Sequence, residues 1–250
     1  MADHPPLTAR RIIVGTALTG VGGFVDCFSY LTLSRVYTAT MSGNTVLIAV
    51  HGGSGEASAA LVHAFTVGAF VLGLLASSVG IELGLRRGVR RTLALALVVE
   101  AACLAAFALW GAPLVASGGT GTASQPHWPL YVLIALTAVA MGTQNTSLRM
   151  AGILTIFTTH VTGSLTRMGE QLVSYLFART RERAQPMLAQ AVFSAGLWLA
   201  FLLGALLASV LLPRLGTGTT LIAPIAVLLI VIVLDLLRPF AEPRTSPAGG

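Results

Sequence analysis

The sequence predicts an all-α membrane protein with six transmembrane helices, arranged as a 3+3 inverted repeat with two re-entrant or broken segments. Three observations lead to this prediction: an apolar composition, six hydrophobic runs of crossing length, and arginine clusters that fit one orientation. Of the 250 residues, 55% are hydrophobic and 10% are charged, and the mean hydropathy is +0.83. A soluble domain carries roughly a quarter charged residues, so this composition excludes a soluble globular fold.

Six hydrophobic runs have the length of about 20 residues that a membrane-spanning helix needs. They are Ile12–Leu33, Ala57–Leu83, Leu93–Leu114, Trp128–Leu148, Met187–Leu212 and Thr219–Leu237. The first run is longer than the apolar region of a signal peptide and has no obvious cleavage site. We therefore expect it to be retained as the first crossing.

Arginine clusters between the runs predict the orientation. They are Arg10-Arg11, Arg86-Arg87 with Arg90-Arg91, Arg179 with Arg181 and Arg183, and Arg238 with Arg244. Basic residues concentrate in cytoplasmic loops. Six crossings with both termini in the cytoplasm place every cluster on that side, and they place the arginine-free loop Ala112–His127 outside.

This organisation predicts one membrane domain with two halves. A cytoplasmic tail at 1–11 precedes a three-helix repeat at 12–114, and an outer loop at 115–127 leads to the second three-helix repeat at 128–238. A second cytoplasmic tail covers 239–250.

Two further apolar segments, Val36–Ala49 and Ile156–Phe177, do not fit as full crossings. If both crossed, the Arg86–Arg91 cluster would move to the outer side. Each also contains a polar break, Ser42-Gly43-Asn44 in the first and Thr162-Gly163-Ser164 in the second. Because irregular backbone at membrane depth needs protein or a water-filled cavity around it, we expect two re-entrant or broken segments that line a path.

The two halves of the chain match in three blocks that occur in the same order. The blocks align Ala17–Val21 with Ala135–Val139, Val36–Asn44 with Ile156–Ser164, and Phe70–Gly73 with Phe201–Gly204. The first block brings Asp26 over Gln144. Since each half has an odd number of crossings, the second half is inverted, which is the plan of many secondary transporters.

The candidate substrate or ion pathway consists of residues from these two interrupted segments and of polar residues in the aligned first and fourth runs. They are Asp26, Ser42, Gly43, Asn44, Gln144, Asn145, His160, Thr162, Gly163 and Ser164. Asp26, Glu100 and His63 are the candidate proton-coupling groups, because ionisable residues within spans are costly and often functional. The alternative for each is a structural hydrogen bond between helices.

The sequence contains no phosphate-binding loop, no metal-binding Cys/His pattern and no nucleophile motif. We therefore expect no catalytic residues, no metal and no cofactor. The net charge is +6, but the arginines form short clusters between apolar runs, so nucleic acid is not an expected partner. The expected partners are the lipid bilayer, a small solute and a coupling ion.

Several motifs resemble those of the YoaK-like family of bacterial inner-membrane proteins. They are Asp26-x-x-Ser-Tyr30-Leu, Val-Tyr-Thr-Ala-Thr-Met-Ser-Gly43-Asn44, Gly142-x-Gln144-Asn145 and Thr158-Thr159-x-x-Thr162-Gly163. The resemblance covers about residues 12–238, and Ser42 stands where the family more often has Thr. It implies a multi-pass protein of the bacterial inner membrane, but it implies no substrate because the family has no assigned function.

Three functional hypotheses follow from the sequence. The first is a secondary transporter or permease for a small solute. The second is an intramembrane enzyme acting on lipid, which would need Asp26, Glu100 and a histidine to converge. The third is a structural or assembly protein that transports nothing.

Overall fold

The structure is a computed structural model that describes residues 9–89, 91–150, 161–178 and 180–238. Within these ranges the protein is helical and has no strand. The helices are α1 (Ala9–Thr32), α2 (Met41–Gly53), α3 (Ala57–Arg86), α4 (Thr92–Ala106), α5 (Ala112–Ala116), α6 (Trp128–Met150), α7 (Val161–Leu176), α8 (Arg181–Thr220) and α9 (Ile222–Leu237). A π-helical segment, Phe107–Gly111, joins α4 to α5 without a break.

Four helical stretches in the described part of the chain are long and apolar enough to cross a membrane. They are Ile12–Thr32, Ala57–Arg86, Thr92–Ala116 and Ala184–Thr220. The remaining two predicted crossings coincide with α6, whose C-terminal half is polar, and with α9, which is apolar but has 16 residues. The prediction of a helical membrane protein is therefore confirmed, and the count of six crossings stays a prediction.

Helices α3 and α6 lie side by side and run in the same direction. Near their starts the rings of Phe65 and Tyr131 are 5.1 Å apart. Just over three turns further on in each helix, the Ser77 hydroxyl donates to the carbonyl oxygen of Thr143 at 3.4 Å.

Helices α1 and α8 pack in the same parallel manner. Val14 and Leu18 of α1 share a core cluster with Phe193 and Leu197 of α8. The later residues of both helices meet in a second cluster, which includes Phe24, Phe28, Ala208, Leu211 and Leu212. The two parallel pairs form the main body of the bundle.

One end of the bundle carries Arg10 and Arg238, together with the starts of α1 and α4 and the end of α9. The Arg10 guanidinium donates to the carbonyl oxygens of Leu234 and Arg238, which joins the start of α1 to the end of α9. The N–H of Ala94 donates to Asp235 Oδ2 at 3.1 Å, which brings the start of α4 to the same end. Because α8 runs parallel to α1, its start also lies there, as the predicted topology requires.

The first of the two apolar segments that do not fit as full crossings, Val36–Ala49, forms a turn followed by a short helix. Ser34 and Arg35 adopt positive φ values of 54° and 61°, which reverse the chain after α1. Helix α2 has 13 residues and so a length of about 20 Å, less than the roughly 30 Å of a bilayer core. It packs along the first half of α3. As a single helix α2 is too short to cross.

The second of these apolar segments, Ile156–Phe177, is described by the structure only in part. Val161–Leu176 forms α7, which packs on α8 as α2 packs on α3. Residues 151–160, including His160, lie outside the described residues, as do the predicted tails at 1–8 and 239–250.

Candidate functional site

Two groups of buried polar side chains in the described part of the protein contain candidate site residues. The first group joins α1, α2 and α3 and contains Asp26, Asn44 and His63. The second joins α4 and α6 and contains Glu100 and Gln144. All five side chains are at most 4% exposed.

The carboxylate of Asp26 anchors the start of α2. Its Oδ1 accepts hydrogen bonds from the N–H groups of Ala39 at 2.7 Å and Thr40 at 3.3 Å. Its Oδ2 accepts a bond from the Thr40 hydroxyl at 2.5 Å. A negative group at a helix N-terminus satisfies exposed N–H donors and the helix dipole. The geometry therefore gives Asp26 a positioning role, whatever further role it has.

The side chain of Asn44 fixes the turn that precedes α2. Its Oδ1 accepts a bond from the Tyr37 N–H at 3.2 Å, and its amide group donates to the Tyr37 carbonyl oxygen. The side chain of Asn44 thus holds both the N–H and the carbonyl oxygen of Tyr37 in the turn. The Thr38 hydroxyl donates to the Ser29 hydroxyl at 2.9 Å and ties the same turn to α1.

His63 extends this network into α3. Its Nδ1 is 3.1 Å from Asn44 Oδ1, so it donates there in the tautomer that carries the proton on Nδ1. The His63 ring also stacks on the His51 ring, with centroids 5.4 Å apart and planes inclined by 5°. His51 in turn pairs with Glu56 at 2.7 Å at the exposed end of α2. The network therefore connects a half-exposed ion pair to a buried histidine.

Replacing Asn44 with alanine is expected to loosen the turn. The N–H and carbonyl groups of Tyr37 would lose their side-chain partner, at a cost of about 1–3 kcal/mol. Hydrogen exchange at the Tyr37 amide should accelerate. Thr45→Ala is the matched control, because the Thr45 side chain is exposed and bonds only within α2 in the described structure. Equal exchange in both variants would contradict the role of Asn44.

Glu100 and Gln144 form the second group, at the contact between α4 and α6. Both side chains are 0% exposed. The Gln144 amide donates to Glu100 Oε1 at 3.0 Å. The other two oxygens, Glu100 Oε2 and Gln144 Oε1, are buried and have no hydrogen-bond partner in the described structure. Two buried acceptor oxygens without donors are suited to receive a proton, a cation or a donor group of a solute.

The other predicted pathway residues occupy different environments. Asn145 is 5% exposed and Ser164 is 4% exposed, whereas Ser42 and Thr162 face outward. At Gly43 a side chain would not fit, because a Cβ would lie 2.7 Å from the Tyr37 ring.

No direct hydrogen bond joins the three candidate proton-coupling groups in the described structure, and Glu100 lies in a different group from Asp26 and His63. Asp26 bonds to the start of α2, His63 bonds to Asn44, and Glu100 bonds to Gln144. Among the described residues no group of three or more His, Cys, Asp or Glu side chains could hold a metal ion. The convergence that an intramembrane enzyme would need is thus absent from Asp26, Glu100 and His63.

Sequence reasoning missed several members of the first group. Thr40 was not singled out, although a threonine directly before a helix is a common N-cap residue. His51 and Glu56 were also missed, because their pairing depends on how α2 folds back on α3. No pattern in the sequence indicates the stacking of His51 on His63.

The helices and their buried polar groups define a multi-pass helical membrane protein. A family model described as a protein of unknown function, DUF1275, matches residues 14–234, and the chain belongs to this family. The chain is similar to the UPF0700 transmembrane protein YoaK of Bacillus subtilis (strain 168), with 26% identity over 175 residues that cover 70% of this chain and 73% of that protein. No solved structure matches it significantly. The predicted resemblance to the YoaK-like family is confirmed.

Proposed function

We propose that this protein is a secondary transporter or permease for a small solute in the bacterial inner membrane, with both termini in the cytoplasm. The buried Glu100–Gln144 pair is the observation that carries the proposal. An ionisable side chain at membrane depth is costly and marks ion or proton paths by default. Glu100 Oε2 and Gln144 Oε1 lack donors within the described structure, which supports a site that a proton or cation occupies during transport.

Glycine contacts support an inverted repeat in which α1, α2, α3 and α4 correspond to α6, α7, α8 and α9. The backbone contacts occur in two matching pairs. In the first pair, Gly23 of α1 contacts the backbone of Phe201 in α8, and Gly142 of α6 contacts the backbone of Phe70 in α3. In the second pair, Gly204 of α8 contacts the backbone of Gly20 in α1, and Gly73 of α3 contacts the backbone of Val139 in α6. These pairs move the register of the first block by one residue, so that Asp26 corresponds to Asn145. The parallel packing of α1 on α8 and of α3 on α6 agrees with this assignment.

Under this repeat, the Glu100–Gln144 pair occurs in one half only. The register that pairs Gly23 with Gly142 places Val25 opposite Gln144. Each half has a groove on its surface. Leu95, Ala96 and Val99 of α4 line one groove, and the equally spaced Ala223, Pro224 and Val227 of α9 line the other. This spacing makes Leu228 the counterpart of Glu100. Val25 and Leu228 are both 0% exposed and apolar. We infer one coupling site for the whole protein, located in the α4–α6 half.

The short helix α2 supports a broken segment beside the path. Asn44 of α2 and Ser164 of α7 are corresponding residues in the proposed repeat, and both are buried. Half-helices of this kind surround the binding sites of many secondary transporters. Asp26 then serves to hold α2 in place, and Glu100 serves to couple transport to a proton or cation.

Proteoliposomes containing the full-length protein and an internal pH-sensitive dye test the proposal. A panel of Na⁺, amino acids, sugars and small carboxylates would be added outside under an imposed membrane potential. We expect one of these solutes to drive proton or charge movement through the unaltered protein. Glu100→Gln should abolish this movement because it removes the titratable oxygen while keeping the shape.

Glu82→Gln is the control for the coupling site. Glu82 is half-buried near the end of α3, where it pairs with the exposed Arg86 at 2.9 Å, so its replacement should leave movement unchanged. If no solute in the panel moves protons or charge, the proposal of transport fails. If transport occurs equally in Glu100→Gln, transport stands and the coupling role of Glu100 is wrong.

A further inference from the structure

A groove of about 280 Å³ runs along the contact of α3, α4 and α6. Small residues of α3 form its floor, including Ala76, Gly80 and Gly84, and Leu95 and Val99 of α4 form one wall. A Cβ placed at Gly80 would meet no atom within 4 Å, so the groove is open at its middle. We refer to it as the α3–α4–α6 groove.

The α3–α4–α6 groove faces the surroundings of the bundle. Leu95 is 58% exposed and Val99 is 48% exposed, and the neighbouring Val79 is 58% exposed. In a bilayer this surface contacts lipid tails. Whatever fills the groove along most of its length is therefore apolar.

One end of the groove is basic. Gly84 and Thr92 line this end, and the connection between them carries Arg86, Arg87 and Arg91. Arg86 pairs with Glu82 at 2.9 Å. Among the described ion pairs none involves Arg87 or Arg91, and both side chains are exposed. The guanidinium fork of arginine matches the geometry of a phosphate group.

We propose that the α3–α4–α6 groove binds an anionic phospholipid. One acyl chain lies along Gly80, Leu95 and Val99, and the phosphate lies at the end of the groove where Arg87 and Arg91 bind it. The α3–α4–α6 groove is apolar along its length, and Arg87 and Arg91 at its end take part in none of the described ion pairs. A molecule that is apolar along its length and negative at one end matches both features. The inference does not depend on transport.

A second groove provides an internal comparison. It has about 240 Å³ and lies between α1, α8 and α9, where Ala17 and Ala223 contribute to its walls. In the described part of the chain, Arg214 of α8 lies about two turns beyond the lining residue Leu207, toward the end that corresponds to the basic end of the first groove. The Arg214 guanidinium donates to the Val210 carbonyl oxygen of its own helix at 2.9 Å. We therefore expect the anionic lipid to prefer the α3–α4–α6 groove.

Native mass spectrometry of the full-length protein in detergent tests the proposal. The protein would be titrated with phosphatidylglycerol and, separately, with phosphatidylcholine of the same acyl chains. We expect one phosphatidylglycerol to remain bound under conditions that remove phosphatidylcholine. The double variant Arg87→Gln with Arg91→Gln should weaken this binding by about tenfold or more, since each arginine near an anionic lipid contributes to the attraction.

Two groove-filling variants separate this site from general lipid contact. Gly80→Leu fills the open middle of the α3–α4–α6 groove and should remove phosphatidylglycerol binding, while Ala223→Leu alters the second groove and should leave it intact. Glycerol 3-phosphate, the headgroup without chains, should not compete. Equal retention of both lipids, or unchanged binding in both Gly80→Leu and the arginine double variant, would overturn the proposal.

Discussion

Gly204→Ala is expected to lower the free energy of unfolding by about 3 kcal/mol, the upper end of the range for overpacked cores. A Cβ at Gly204 would lie 2.0 Å from the carbonyl oxygen of Gly20 and 3.1 Å from the backbone nitrogen of Phe24. Backbone atoms cannot move aside as a flexible side chain can, so α1 and α8 would have to separate along their contact.

Gly196→Ala is the matched control, because it makes the same change in the same helix. A Cβ at Gly196 would meet no atom within 4 Å. Its effect on stability should be neutral or slightly favourable, since alanine is the better helix former by about 1 kcal/mol. Thermal unfolding in detergent, followed by tryptophan fluorescence, measures both variants. Similar unfolding temperatures for the two would show that α1 and α8 do not approach this closely.

Asp26→Ala is expected to destabilise the protein by about 3–5 kcal/mol, because two buried N–H groups and a hydroxyl would lose their acceptor at roughly 1–3 kcal/mol for each buried donor. The donors are the N–H groups of Ala39 and Thr40 and the Thr40 hydroxyl. Helix α2 should then detach from α1. Unfolding in detergent gives the stability, and cysteine labelling at Ser42 reports whether α2 has moved.

Thr40→Val is the graded comparison for Asp26→Ala. It removes the hydroxyl but keeps both N–H donors, so its cost should be near 1 kcal/mol. If Asp26→Ala unfolds like the unaltered protein and yet transports nothing, Asp26 acts in the transport step and its anchoring bonds contribute little to stability. If both stability and transport are retained, neither role holds.

Asp26 and Glu100, two of the three buried acids in the described part of the chain, differ in a way that the sequence did not reveal. The sequence placed Asp26 both in the candidate pathway and among the candidate coupling groups, whereas it placed Glu100 among the coupling groups alone. The three hydrogen bonds that the Asp26 carboxylate accepts come from Ala39 and Thr40 at the start of α2, whereas one oxygen of Glu100 has no donor among the described residues. Sequence spacing gives the depth of an acid in a span, but its hydrogen-bond partners come from segments distant along the chain.

Most of the helical architecture followed from hydrophobic run length. The runs starting at Ile12, Ala57 and Leu93 match helices within a few residues. The fifth run begins and ends within α8, which is longer at its start because Arg181–Gln185 extend the helix before the apolar part. At its end Gly216, with φ of 76°, interrupts the helix, and Thr217–Thr220 form a separate turn. Apolar length detects the part of a helix that fits a bilayer core, and polar residues extend helices beyond it without leaving that signal.

The sequence by itself determined that this protein is a helical bundle for a membrane, because apolar composition and run length depend on the chain alone. It also predicted two short interrupted segments, and the structure describes the first of them as containing the 13-residue helix Met41–Gly53. Only the tertiary structure decided which polar groups are satisfied and which are left open, and which glycines bring backbones into contact. The physical reason is that hydrogen bonding and close packing depend on the separation of atoms in space, and residues such as Glu100 and Gln144 are brought together only when α4 packs on α6.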